Sequence, residues 1–260
     1  MDSSQKTVLI SGGLGDIGRA IALTFGRKGF RVALGDILEE TEADRMLEEM
    51  HSEGCKELFY YQVDVTSEDE TASWLDAVTQ KWGVPQVIVP NAGIVIGGSL
   101  TDDDLTTAQA RQQLDVNFWG SYHLAVQVAK KLKANQLPGS IVFIGSWTAE
   151  RPNTRISSYC ISKAAVRMLC KTLALELASH RILVNEIAPG IVSGGLSKKN
   201  QQKDPNLLKA HLNAIPVHDL VTVEKVAKHV LWLSDFEDIN ITGSTLLVDG
   251  GLSLTSKLTP

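Results

Sequence analysis

Short apolar runs alternate with longer stretches of helical periodicity along nearly the whole chain. Thr7-Val8-Leu9-Ile10, Arg31-Val32-Ala33-Leu34, Leu58-Phe59-Tyr60-Tyr61-Gln62-Val63 and Val87-Ile88-Val89 read as the first four strands. Helical patterns follow the first three of them, from about Asp16 to Lys28, Glu39 to Glu53 and Ser67 to Trp82. A long helical stretch from about Asp104 to Asn135 precedes the strand Ser140-Ile141-Val142-Phe143-Ile144. A helix from Ser157 to about Ala178, the strand Ile182 to Ile187, a helix from Thr222 to Ser234 and the strand Ser244 to Val248 complete the series. Strands that alternate with helices require parallel crossovers. The pattern therefore predicts an α/β fold: one Rossmann-type doubly wound domain over residues 1–260, with a seven-stranded, mostly parallel sheet and helices on both faces. No Pro/Ser-rich linker or internal repeat divides it.

In the helix from Ser157, apolar residues fill more than one stripe, among them Ile161, Met168, Leu173 and Leu175. A helix apolar on several sides is buried on several sides. Either it lies deep within the monomer, or one face packs on the sheet and another on a partner subunit.

Composition narrows the function classes. The chain has 260 residues, 43% hydrophobic and 21% charged, with a net charge of -5 and both signs interspersed. A surface for nucleic acid or anionic membrane needs clustered positive charge, and no apolar run approaches the length of a membrane span. The polar start, Met1 to Lys6, has no secretory apolar region. Cys55, Cys160 and Cys170 form no CxxC pair, and their odd number argues against a disulfide framework. Reduced thiols in a cytoplasmic protein are expected. The six histidines show no metal-ligand spacing.

Two motifs carry chemistry. Ser11-Gly12-Gly13-Leu14-Gly15-Asp16-Ile17-Gly18 links the first strand to the first helix, and Gly13-x-Gly15-x-x-Gly18 fits the dinucleotide fingerprint in the required context. Such glycines let backbone approach a pyrophosphate at a helix N-terminus. The competing reading is a purely structural turn. Asp36 closes the second strand, where a carboxylate accepts from both adenosine ribose hydroxyls and repels a 2′-phosphate. This favours NAD over NADP, unless Asp36 merely caps the next helix. Tyr159 and Lys163 stand four residues apart, one turn along a single helix face. A neighbouring ammonium is expected to lower the phenol's pKa and make the pair an acid/base catalyst, although this spacing also arises by chance.

Together these residues resemble the short-chain dehydrogenase/reductase family, nearly end to end. The family's markers occur in order: the glycine turn, Asp64-Val65, Asn91-Ala92-Gly93, Asn117, Ser146 thirteen residues before Tyr159, Pro189-Gly190, and Val248-Asp249-Gly250-Gly251. The resemblance implies that Tyr159 carries the proton at the substrate oxygen and that Ser146 hydrogen-bonds that oxygen. Lys163 would lower the tyrosine pKa and bind the nicotinamide ribose, and Asn117 would fix a water linking Lys163 to solvent. The pyrophosphate turn would comprise Gly12, Gly15, Asp16, Ile17 and Gly18. Asp64 and Val65 would contact adenine, Asn91, Ala92 and Gly93 the adenosine side, and Ile191 and Val192 the carboxamide. A homo-oligomer, tetramer or dimer, acting on a small-molecule substrate is implied as well.

The sequence departs from the family pattern twice. Asp16 stands at the middle glycine; it is expected to turn from the pyrophosphate and cap the helix. Gly194 stands at the threonine of Pro-Gly-x-x-x-Thr, so a hydroxyl contact to the cofactor is expected from Ser193 or is missing. Around the site, Trp147, Glu150, Arg151 and Asn153 suggest a polar, hydroxylated substrate such as a polyol or sugar, if they do not instead face solvent or a neighbouring subunit. Ser197 to Asn206, with Lys198, Lys199 and Lys203, reads as a mobile lid or a solvated loop. The expected activity is hydride transfer between NAD(H) and a secondary alcohol or ketone. The alternatives are an NADPH-dependent ketoacyl or polyketide-type reductase and, outside catalysis, an NAD-binding sensor or scaffold.

Overall fold

A computed structural model describes residues 5–197, 205–237 and 240–255. Seven strands form one sheet: β1 (Thr7–Ser11), β2 (Arg31–Asp36), β3 (Leu58–Gln62), β4 (Val87–Val89), β5 (Gly139–Ile144), β6 (Ile182–Pro189) and β7 (Thr245–Val248). Their order is β3-β2-β1-β4-β5-β6-β7, and every neighbouring pair is parallel. The expected fold is therefore found, with the sheet parallel throughout. Chain order runs outward in both directions from β1 and β4, so a crevice opens at their carboxyl ends, where doubly wound sheets bind ligands.

Period-two side-chain alternation sorts the core into two layers. Val8, Ile10, Val32, Leu34, Val142 and Ile144 face one side. There they meet Ile21 and Phe25 of α1 (Asp16–Gly26), Met50 of α2 (Glu40–Ser52) and Val226 and Val230 of a late helix, Val223–Leu233. Leu9, Ala33, Ile88, Ile141 and Phe143 face the other side. Their partners are Trp74 of α3 (Glu68–Trp82), Leu124 and Val128 of a helix spanning Gly120–Ala134, and Val166 and Leu173 of a helix spanning Ser157–Leu177.

The helical stretch expected from Asp104 to Asn135 is not continuous. It starts at Thr107, behind a capping box formed by Thr106 and Gln109, and runs as α4 to Leu114. A five-residue π-helical turn, Asp115–Trp119, separates it from α5 (Gly120–Ala134). Such wide turns occur mostly at functional sites, and this one holds Asn117. Among the described residues, the further α-helices are α6 (Ser157–Leu177), α7 (Pro205–Ala214) and α8 (Val223–Leu233). Lys198, Lys199 and Lys203 of the expected lid lie outside the described residues.

Candidate active site

The crevice at the carboxyl ends of the strands is a cleft of about 850 Å³. One end is shaped by close backbone approach. Gly12 has φ +62°, and a side chain on Gly18 would overlap the Gly12 carbonyl oxygen. Gly15 precedes α1 in extended conformation, with no side chain capping the helix. Gly15, Asp16, Ile17 and Gly18 line the cleft, and the N-terminal turn of a helix is suited to a phosphate. Asn91 fastens this turn to β4: its Nδ2 donates to the Ser11 and Gly12 carbonyls, each at 3.0 Å. The Ser11 hydroxyl in turn accepts from the Asn91 and Ala92 N–H groups.

Asp36 lines the same end. Its carboxylate accepts from the Leu14 N–H at 3.0 Å and the Ile37 N–H at 2.9 Å, which fixes its aim. Each oxygen retains acceptor capacity. Asp64, Val65, Ala92 and Gly93 also line the cleft, and Thr66 donates to Asp64 Oδ1 through both its hydroxyl and its N–H.

Asp16 does not cap α1. Gly15 is the cap residue, and Asp16 Oδ2 instead accepts from the Gly195 N–H at 2.9 Å, reaching the segment after β6. That segment also differs from expectation at Ser193. Its side chain is exposed and its N–H is spent on Val221 O, while Val192, Gly194 and Gly195 line the cleft beside Pro189 and Gly190.

The opposite wall holds the catalytic candidates. Ser146 follows β5, is buried, and exchanges a hydrogen bond with Thr148 Oγ1 at 2.8 Å. Tyr159 and Lys163 lie one turn apart on α6, and both line the cleft together with Ser146. Burial pushes the Tyr159 phenol up to about 12, with the nearby Ser146 side chain opposing it. This reverses the expected direction. Lys163 Nζ sits 5.7 Å from the Tyr159 ring centre and donates to Ile144 O at 2.8 Å. Burial also pushes Lys163 down to about 8, with the Glu186 carboxylate opposing. In a low-dielectric wall, desolvation of both groups outweighs their mutual effect. Tyr159 as a whole is only partly buried, so its side chain remains reachable from the cleft.

Asn117 lies behind this wall, fully buried and outside the cleft lining. Its Oδ1 accepts from Ile94 N at 2.8 Å, and its Nδ2 donates to Ile94 O and Ser162 Oγ, each at 3.0 Å. It thus ties the loop after β4 to α6. A side chain at Gly93 would lie 3.3 Å from Asn117 Oδ1 and 3.8 Å from Lys163 Nζ. This places the two groups around one small space.

Sequence reasoning overlooked what holds Ser146. Arg167, one turn after Lys163, is 5% exposed and pairs with the fully buried Glu186 at 2.7 and 3.0 Å. The same guanidinium donates to Ser146 O at 3.0 Å and meets Glu150 at 2.8 Å, and Thr245 donates to Glu186. The signal available was an Arg in an apolar helix and a Glu inside a strand. Gln113 was missed as well: buried, it accepts from Ile96 N and donates to Ser158 Oγ, bracing the same helix. Of the suggested substrate residues, Trp147 and Asn153 line the cleft. Glu150 is spent on Arg167, and Arg151 is exposed. Helix α7 adds His211 to the lining.

A glycine cradle at a helix N-terminus, an acceptor carboxylate beyond it and a Tyr/Ser pair within the same cleft fit an extended dinucleotide with a second reactant beside it. Comparison with known proteins agrees. A family profile described as enoyl-(acyl carrier protein) reductase matches residues 13–253. The chain is 30% identical to glucose 1-dehydrogenase 2 of Bacillus subtilis (strain 168), over 97% of this chain and 96% of that protein. It is 32% identical to 3-oxoacyl-(acyl-carrier-protein) reductase FabG of Thermotoga maritima, over 95% and 97%. Among solved structures, a short-chain type dehydrogenase/reductase from Mycobacterium marinum superposes with TM-score 0.89 and 28% identity, over 98% of both chains. ElxO with NADP bound gives TM-score 0.89 and 28% identity, over 96% of this chain and all of that one.

Proposed function

Because the chain belongs to the short-chain dehydrogenase/reductase family of oxidoreductases, we propose that it transfers hydride between NAD(H) and a secondary alcohol or ketone. The observation that carries this reading is that Tyr159, Ser146 and Lys163 open on the same cleft as the glycine cradle and Asp36.

The bound nicotinamide supplies or accepts the hydride; the residues of the chain do the rest. Gly12, Gly15, Ile17 and Gly18 bring backbone against the pyrophosphate. Asp36 accepts from the adenosine ribose hydroxyls and repels a 2′-phosphate, which selects NAD over NADP. Ser146 orients the substrate oxygen, and Tyr159 holds the proton delivered to it or taken from it. A phenol held high is protonated at neutral pH, the form needed for ketone reduction. Lys163, anchored on Ile144 O, keeps a positive charge behind the phenol, and the space bounded by Gly93 and Asn117 is where a relay water belongs. Asn153 and Thr148 beside Trp147 favour a hydroxylated substrate, a polyol or sugar. Acyl-carrier substrates with NADPH are the second reading, favoured by the likeness to the acyl-carrier reductases and opposed by Asp36.

The remaining readings concern assembly and place. Ile161, Met168 and Leu175 recur every seventh residue on α6 and are 49%, 62% and 85% exposed. That stripe suits a homo-oligomer, dimer or tetramer. No helix among the described residues is long and apolar enough to cross a membrane, and the three cysteines are free and buried, which suits the cytoplasm.

The test is a screen of secondary alcohols, polyols and sugars for NAD reduction. Tyr159→Phe is expected to lower kcat by about 10²–10⁴-fold with NAD affinity retained. Full turnover in that variant removes the proposed acid/base, and tighter binding of NADPH than NADH removes the role of Asp36.

A further inference from the structure

The two places where the sequence departs from the family pattern lie against each other in the structure. Asp16 Oδ2 accepts the Gly195 N–H at 2.9 Å. A side chain added at Gly194 would begin 3.4 Å from that same oxygen and 3.0 Å from Val223 Cγ1. Gly194 is buried, and Gly195 has φ +60°, a left-handed turn that brings its N–H toward α1. All three residues line the cleft, on the rim between the glycine cradle and the segment after β6.

We infer that Asp16 is a positioning residue: with Gly194 and Gly195 it forms a latch that docks the segment after β6 onto the first turn of α1. The pairing is chemical as well as spatial. A carboxylate in the first turn of a helix is favoured by the helix dipole, and its bond to a backbone N–H is charge-assisted. The carboxylate occupies room that a glycine at position 16 would leave empty, and it reaches ordinary contact distance from where a Cβ on residue 194 would stand, so the further atoms of a threonine there would compete with it for that room. The far side of the segment is fixed separately: Ser193 N donates to Val221 O at 2.9 Å, and Val221 N donates to Ile191 O at 3.0 Å. The latch therefore completes a two-sided clamp on Ile191 and Val192. Its effect on cofactor retention rests on the function proposed above; its existence does not.

Amide hydrogen exchange on the cofactor-free protein tests the latch itself. Asp16→Gly is expected to speed exchange at Gly195 by roughly tenfold or more, since a hydrogen bond to a charged acceptor is lost. Asp16→Asn, which keeps an acceptor oxygen, is expected to stay closer to the unmodified protein than to Asp16→Gly. Fluorescence titration with NADH tests the pairing. Asp16→Gly and Gly194→Thr should each weaken binding, and the double variant should bind better than either. Unchanged exchange at Gly195 in Asp16→Gly overturns the latch. Single effects that multiply in the double variant overturn the pairing. If the unmodified protein binds neither NADH nor NADPH, the proposed function fails while the exchange result still decides the latch.

Discussion

The two ends of the cleft are held by opposite means. The glycine end is made of absences: Gly18 reaches the Gly12 carbonyl and Gly12 reaches Ala92 because neither glycine carries a side chain, and Asn91 and Ser11 bolt the turn down with neutral hydrogen bonds. The wall that carries Ser146, Tyr159 and Lys163 is made of buried charge. Lys163 is 4% exposed, Arg167 5% and Glu186 0%, with Arg167 reaching the carbonyl of Ser146. A phosphate site has to be close and electropositive, which backbone alone provides. A proton-transfer site has to hold side-chain atoms in place against desolvation, which takes partners inside the core. One end should therefore fail by steric overlap, the other by uncompensated charge.

The largest expected effect lies on the charged side. Arg167→Met fills similar space but leaves Glu186 in the core with the Thr245 hydroxyl as its one remaining side-chain donor among the described residues. Breaking a buried pair in this way costs about 3–5 kcal/mol, read as a lower urea midpoint. Adding Glu186→Met should restore most of that stability, because no charge is then left unpaired. It should not restore kcat, since Ser146 still lacks the donor on its carbonyl. A single variant as stable as the unmodified protein, or a double variant with full kcat, would dissolve the contrast between the two ends.

The next effect is one of pH. Lys163 titrates at about 8 in the folded protein and near 10.4 when unfolded. Between those values the unfolded chain binds more protons, so stability rises with pH across that window. Tyr159 works the other way. Its phenol stands at about 12 in the fold against roughly 10 unfolded, so its contribution falls above pH 10. Lys163→Met removes the first effect and spares the second. The stability of the unmodified protein relative to Lys163→Met should grow by up to roughly 3 kcal/mol between pH 7.5 and 10, measured by denaturant titration. A flat difference would mean that burial does not burden the ammonium.

The same contrast separates what the sequence discloses from what it hides. Strand alternation places Val8 and Ile10 opposite Leu9, and the glycine spacing marks the cradle, because local sterics write both into neighbouring positions. The wall draws on distant ones. Glu186 reads as an intruder in an apolar strand until the fold brings Arg167 to it. The π turn that turns Asn117 inward has no periodicity distinct from the helices beside it. The direction of the Tyr159 shift was misjudged from spacing for a related reason: spacing gives the neighbour, whereas burial is a property of the folded wall. Asp16 was misread as a cap because its partner lies 179 residues away.

The smallest effect is a pair of glycine substitutions that tests the other end. At Gly18 a methyl would overlap the Gly12 carbonyl, and its next neighbour, Gly13 Cα, is 2.9 Å away, so backbone has to move. Overpacking of this kind costs about 1–3 kcal/mol, and cofactor affinity should fall with it. At Gly15 the nearest atom to a methyl is Gly12 O at 3.5 Å, and φ is -69°, open to any residue. Alanine there loses some capping preference but also lowers the entropy of the unfolded chain, by about 0.4–1 kcal/mol. The two nearly cancel, so Gly15→Ala should leave the urea midpoint within about 0.5 kcal/mol of the unmodified protein. Its methyl nonetheless stands at the cleft that Gly15 lines, where the proposed nucleotide would bind. Nucleotide affinity that falls while stability holds would show that this end is shaped for a ligand rather than for folding. Equal loss of both in the two variants would show that the glycines serve the turn alone.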